Sequence, residues 1–232
     1  MTVIRNPKSK QSQIHNPMDL VIATANPGKL SELREMLDDV ASLKYRSLAD
    51  FGTLPPALEG GSIFGDNARS KAEHYHRLLR LPVLADDSGL EVDLLNGEPG
   101  VWSARYAGPN ATDRENTRKL LAELQCRKSA RSSSELPSVL GYSLLSAARF
   151  VCALTLFASG AQRFFTQATC EGFISAQPRG KNGFGYDPIF FVLQEGKTMA
   201  ELPAPVKNRI SHRAKAAREL KTFLSAHVSL TF

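Results

Sequence analysis

The sequence predicts a single α/β domain. Strand-like apolar runs and segments of helical period alternate along the 232 residues, and the first folded unit reads as strand, tight loop, helix. A content of 42% hydrophobic and 22% charged residues is ordinary for a globular chain with a sizeable core. The opening unit starts at Asp19-Leu-Val-Ile-Ala-Thr-Ala25, a short apolar run of buried-strand type. Asn26-Pro27-Gly28 breaks it, and Leu30, Leu33, Leu37 and Val40 then recur at helical spacing. A second helix is expected over 67–79. Residues 82–95 read as a strand, an acidic turn and a second strand. A third helix is expected over about 112–124. Phe150–Ser159 and Arg163–Cys170 flank Gly160 as a hairpin. The last helix covers 211–226, with Ile210, Ala214, Ala217, Leu220 and Leu224 on one face.

Two segments stand outside this frame. Residues 1–18 are polar, contain Pro7 and Pro17 and lack an apolar signal core, so they are expected to form a disordered extension to a domain spanning 19–232. Residues 127–148 are Ser-rich, fit neither period and are expected to be a surface insertion. These two segments supply the whole net charge of +6. Arg5, Lys8 and Lys10 lie in the first, and Arg127, Lys128 and Arg131 with the adjoining Arg149 lie in the second, against Glu135. The remainder is balanced, which argues against a nucleic-acid partner, because such a groove spreads positive charge along a folded face. No run approaches the roughly 20 apolar residues of a membrane-spanning helix, so no membrane partner is expected. Cys126, Cys152 and Cys170 are too few and too scattered for a disulfide framework or a zinc site; a reducing, cytoplasmic setting is expected.

Four clusters have chemical potential. Thr24-Ala25-Asn26-Pro27-Gly28-Lys29 joins a buried strand to a helix start, where free N–H groups and the dipole suit phosphate; a plain strand-to-helix turn is the alternative. Asp86-Asp87-Ser88-Gly89 places adjacent carboxylates that need an offsetting charge if buried. A hard divalent cation would supply it, and a solvated acidic turn would not need it. In a strand the two carboxylates would point to opposite faces and take different roles. Gly183-Phe184-Gly185-Tyr186-Asp187 brings an aromatic between glycines, either a shelf for a flat base or a turn between core strands. Lys207 precedes Ser211-His212-Arg213. Ser211 is a natural N-cap, and cations in the first turn after it are disfavoured without a nearby anion, which suggests a phosphate or polar-ligand site; a basic exposed helix start is the alternative. An acidic metal site, cations for phosphate and an aromatic shelf together suit Mg²⁺-dependent cleavage of a nucleotide.

The ordered motifs TANPGK, FGDNARSKA, LADDSGLEVDLLNGEPGVWSARYAG, NGFGYDPIFF and KNRISHR resemble the inosine-triphosphate pyrophosphatase (dITP/XTP pyrophosphatase) family over about residues 19–222. The resemblance implies a homodimer, a long mixed central sheet flanked by helices, and two lobes with an active-site cleft between them. It implies hydrolysis of ITP, dITP and XTP to the monophosphate and pyrophosphate with Mg²⁺. A pyrophosphatase of modified pyrimidine nucleotides and a non-catalytic nucleotide-binding protein are the alternatives. The phosphate loop then falls on Thr24 to Lys29 and the general base on Asp87, which also helps hold the metal with Glu59. Lys71 contacts phosphate and Ser88 contacts substrate. Phe184 to Asp187 form the substrate loop, and Lys207, His212 and Arg213 complete the contacts. The chain has Glu59-Gly60-Gly61 where the family often has Glu-Thr-Gly, and Asp66 where it has Glu.

Overall fold

The computed structural model describes residues 18–40, 43–58, 60–130 and 138–227. Its centre is an eight-stranded mixed sheet in the order β2-β1-β3-β5-β6-β7-β8, with β4 paired to β3. Strand β1 (Met18–Ala23) lies parallel to β2 (Leu43–Ser47) and to β3 (Val83–Val92). From β3 onward the sheet is antiparallel: β4 (Pro99–Gly100), β5 (Leu144–Ala158), β6 (Ala161–Ser175), β7 (Phe190–Val192) and β8 (Lys197–Thr198). The helices are α1 (Pro27–Leu37), α2 (Phe64–Leu79), α3 (Asp113–Ala130), α4 (Ala204–Ile210) and α5 (His212–Ala226). No described helix is long and apolar enough to cross a membrane.

Side-chain alternation along the strands sorts the core. Leu20, Ile22 and Leu84 face one side, where Leu33 and Leu37 of α1 and Ala217, Leu220 and Leu224 of α5 cover them. Val21, Ala23, Val83 and Ala85 face the other side, against Ala72 and Tyr75 of α2. A further core under α3 joins Leu120 and Leu124 to Leu90, Val92, Phe150 and Phe190. The pairing of β1 with β3 ends at Ala23↔Ala85, and β4 joins β3 only at Leu90 and Glu91. Asp86, Asp87 and Ser88 therefore sit past the carboxyl end of β1, beside the start of α1. Ligands of open α/β sheets collect at such places.

Several expectations are corrected. The acidic turn within 82–95 does not exist: β3 runs unbroken through Asp86-Asp87-Ser88-Gly89, paired with β5 from Val83↔Phe157 to Val92↔Ala148. A strand tolerates buried carboxylates when cations reach them, and they do here. Helix α2 begins at Phe64 rather than Asn67, because Phe64 is buried against Ala68, Val151 and Ala153. The Ser-rich segment is shorter than its composition suggests. Residues 127–130 continue α3 and residues 144–148 belong to β5, where Leu144, Leu145 and Ala148 are buried. Residues 1–17 and 131–137, and Glu59, lie outside the described residues.

Candidate active site

The loop after β1 is built as a helix start. Asn26 caps α1 by accepting the Lys29 N–H at 3.1 Å, Thr24 Oγ1 accepts the Asn26 N–H at 3.2 Å, and Pro27 occupies the first turn. Ala25 and Pro27 are exposed, whereas Thr24 and Asn26 are half-buried. Gly28 has a steric reason to be glycine: a Cβ there would stand 2.6 Å from the Phe184 ring. Lys29 turns away from solvent, its Nζ reaching Asp86 Oδ1 at 2.8 Å and the Ser88 carbonyl at 3.4 Å.

Asp86 and Asp87 do face opposite ways, and their surroundings are opposite too. Asp86 follows Leu84 onto the α5 side and is fully buried. It accepts from Lys29 Nζ and Ser88 Oγ on one oxygen and from Arg213 Nε (3.2 Å) and Cys152 Sγ (3.1 Å) on the other. Burial would raise its pKa, but Lys29 and Arg213 outweigh burial and hold the carboxyl well below the usual carboxylate range. Asp87 follows Ala85 onto the α2 side. Burial pushes its pKa up to about 6, only partly opposed by Lys71, Lys29 and a hydrogen bond from Asn67. Its Oδ2 is buried without a partner. Lys71 Nζ also donates to the Asp86 carbonyl at 3.1 Å, so it touches β3 beside Asp87. Asn67 ties the 60–62 loop to this spot, pairing with Gly61 through its N–H (2.9 Å) and carbonyl (3.2 Å). Gly61, the glycine shared with the family pattern, has a local cause, because a Cβ there would fall 2.8 Å from Asn67 Oδ1; the departure is at Gly60, where a Cβ would meet nothing within 4 Å and the structure gives no reason for glycine.

The opposite bank comes from the end of the chain. Ser211 caps α5 by accepting the Ala214 N–H at 3.2 Å, as expected. The anion demanded by the cationic first turn is protein: Arg213 pairs with Asp86 and with Glu32 of α1, and donates to Ser88 Oγ at 2.8 Å. Lys207 bridges Asp187 Oδ2 at 2.7 Å and Glu32 Oε1 at 2.9 Å. Burial opposes its charge, yet the two carboxylates raise its pKa. His212 is buried and stacks on Phe150 with ring centroids 4.9 Å apart. Burial, then the neighbouring Arg213, drive its pKa well below the usual value, so the ring is neutral, and its Nδ1 has no partner. Phe184 lies 5.6 Å from Lys207 Nζ and 5.8 Å from Arg213 Cζ. Tyr186 is buried and donates to the Ser103 carbonyl at 2.9 Å.

These residues line a cleft of about 720 Å³ including its open mouth. Asn26 and Lys29 contribute from the first motif, Ser88 from β3, Phe184–Asp187 from the glycine-flanked aromatic loop, and Lys207, His212 and Arg213 from the chain end. Asp87 and Lys71 are not in its lining; they sit on the other face of β3. Sequence reasoning missed Glu32, Asp86 as an ion-pair centre, and Asn67. Glu32 had a signal, its position one helical turn after Lys29. Among the described residues no three His, Cys, Asp or Glu side chains form a metal cage. The unpartnered Asp87 oxygen fits a single carboxylate ligand to a hard divalent cation that keeps water or phosphate oxygens in its other positions.

The sequence profile of the Ham1 family matches residues 20–223. The chain belongs to the Ham1 family. Among its Ham1 relatives, the dITP/XTP pyrophosphatase of Desulfotalea psychrophila is 45% identical over 202 residues, covering 87% of this chain and 83% of that protein. The dITP/XTP pyrophosphatase of Geobacillus kaustophilus is also 45% identical, covering 87% of this chain and 92% of that protein. The Coxiella burnetii Ham1 structure superposes with a TM-score of 0.76 at 40% identity, over 90% of this chain and 99% of that one. The Staphylococcus aureus Ham1 structure gives 0.74 at 36% identity, over 90% and 98%. The mixed sheet and its flanking helices are thus the Ham1 fold.

Proposed function

We propose that this Ham1 protein hydrolyses ITP, dITP and XTP to the nucleoside monophosphate and pyrophosphate with Mg²⁺, clearing deaminated purines from the nucleotide pool. The observation that carries the reading is the buried Asp87 with one unpartnered oxygen, on the strand whose other face borders the cleft lined by Lys29, Phe184, Lys207 and Arg213. Relatives covering most of the chain are named for dITP and XTP pyrophosphatase activity, which supports the substrate class.

Asp87 and Glu59 would hold the magnesium. When bound, the ion supplies Lewis-acid neutralisation of phosphate charge. The charge balance of the described site supports this need. Lys29, Lys71, Lys207 and Arg213 face Glu32, Asp86, Asp87, Asp187 and the rim carboxylate of Asp113, which leaves no surplus positive charge for a triphosphate. Asp87, ionised above about pH 6, orients and deprotonates the water that attacks the α-phosphorus. Lys29 at the α1 start and Lys71 beside Asp87 hold phosphate oxygens. Phe184 stacks on the base. Arg213 and the neutral His212 read its 6-keto edge, where adenine's amino group would leave a buried donor unpaired. The protein acts as a homodimer in the cytoplasm, a setting in keeping with its three free cysteines.

Pyrophosphate release from ITP, dITP, XTP, GTP, ATP and dUTP, with Mg²⁺ and with EDTA, tests the reading. Turnover of the first three with Mg²⁺ alone is expected. A preference for dUTP or no release from ITP would overturn it. Gly28→Ala tests the aromatic shelf, since the new methyl must push the Phe184 ring off its seat. KM for ITP should rise about tenfold, the scale of overpacking strain. An unchanged KM would show that the ring moves freely.

A further inference from the structure

The first turn of α3 belongs to no motif assigned above, yet it holds the substrate loop. Thr112 and Glu115 already satisfy this helix start. Glu115 Oε2 accepts the Thr112 N–H at 2.8 Å, and Thr112 Oγ1 accepts the Glu115 N–H at 3.3 Å. The carboxylate of Asp113 is therefore not needed as a cap. It stands at the rim of the cleft, where a negative charge opposes a polyanionic ligand. Its contact explains its presence. Asp113 Oδ2 accepts the Gly185 N–H at 2.6 Å across 72 residues of sequence. Gly185 has φ +61°, a left-handed conformation that glycine adopts without strain and that forms part of the turn presenting this N–H to the carboxylate. Immediately before it, the Phe184 N–H is held by Asp187 Oδ2 at 3.2 Å. Two carboxylates thus grip consecutive amides on either side of the Phe184 ring, which rests on Gly28. One turn along α3, Asn116 fixes the neighbouring wall, accepting the Ala107 N–H at 2.8 Å and donating to the Ala104 carbonyl at 3.1 Å.

We propose that Asp113 is a positioning residue for the nucleobase: through the Gly185 amide it sets the aromatic shelf of Phe184 and does not itself touch the substrate. The inference rests on the nucleotide reading above. A shelf that contacts the base equally in ground and transition states acts on binding, so its loss raises KM and spares kcat.

The test compares Asp113→Ala and Asp113→Asn in the full chain. Asparagine retains an oxygen that can accept the Gly185 N–H and removes only the charge. Amide hydrogen exchange over 183–187 should quicken roughly tenfold in the alanine variant, the order expected for one lost hydrogen bond, and stay near wild type in the asparagine variant. KM for ITP should rise by the same factor of about ten in Asp113→Ala with kcat within about twofold, and Asp113→Asn should restore it. Adding Asp113→Ala to Phe184→Ala should change KM no further, because the two act through one shelf. Unchanged exchange in Asp113→Ala, an unchanged or lower KM there, or an asparagine variant that behaves like alanine would overturn the assignment. Hydrogen exchange decides the latch even if the wild-type chain releases no pyrophosphate, whereas that last result bears on the function alone.

Discussion

Asp87→Asn should remove most turnover and make the protein more stable. Loss of the base costs about 10²- to 10⁴-fold in kcat. Stability moves the other way because the wild-type carboxyl is buried, with its pKa pushed from 3.8 up to about 6. The unfolded chain ionises more readily than the folded one. The native state therefore carries a penalty that grows as pH rises from about 4 to 6 and is complete above that. At about 1.4 kcal/mol per unit the penalty amounts to about 3 kcal/mol. Asparagine removes it, so Tm in EDTA at pH 8 should rise by several degrees, given about 2–4 °C per kcal/mol for a chain of this size. The gain should fade below about pH 5. Thermal melts of both proteins at pH 4.5 and pH 8, beside pyrophosphate assays, check both halves; a variant less stable at pH 8 would refute the buried-charge account. The same titration predicts a wild-type kcat/KM that rises with pH along an acid limb at or below about pH 6, since a bound cation favours the ionised carboxylate.

One residue earlier the sign reverses. Asp86→Asn should destabilise the protein by about 3–5 kcal/mol, the usual cost of removing one partner from a buried ionic network. Tm should fall by roughly 10 °C. Lys29 and Arg213 both direct cations at this carboxylate, and Cys152 and Ser88 complete it. Burial raises its pKa and the two cations lower it further, so the net shift is downward. An acid depressed in the folded state stabilises above its unfolded pKa near 4 and loses that contribution as pH falls below it. Wild-type protein should therefore lose stability in acid more steeply than Asp86→Asn. Activity should also fall, because Lys29 and Arg213 lose the anchor that aims them into the cleft. Thermal melts from pH 3 to pH 8 provide the measurement, and equal Tm values at pH 8 would remove Asp86 from its central role.

Chemistry was more legible in the sequence than geometry. Five motifs in order pointed to a nucleotide pyrophosphatase, and the cleft gathers residues from four of them. Ser211 as the cap of α5 and the opposed faces of Asp86 and Asp87 were also readable, because capping and strand alternation are local rules. The acidic turn was misread for the converse reason. Two adjacent aspartates look like solvent-facing residues until Lys29, Lys71 and Arg213 are brought to them from 15 to 127 positions away. The Ser-rich stretch was overextended because burial of Leu144 and Leu145 depends on strands that pair only in the folded sheet.

The sequence alone determined the residue inventory: a capped loop between strand and helix, two carboxylates on alternate sides of a strand, an aromatic between glycines and a cationic helix start. Local propensities and side-chain chemistry suffice for that. Which carboxylate carries an ion-pair network and which stays unpartnered was decided only in the tertiary structure. The pKa of a buried acid depends on the charges that long-range packing sets around it, and those charges come from α1, α2 and α5 rather than from β3 itself.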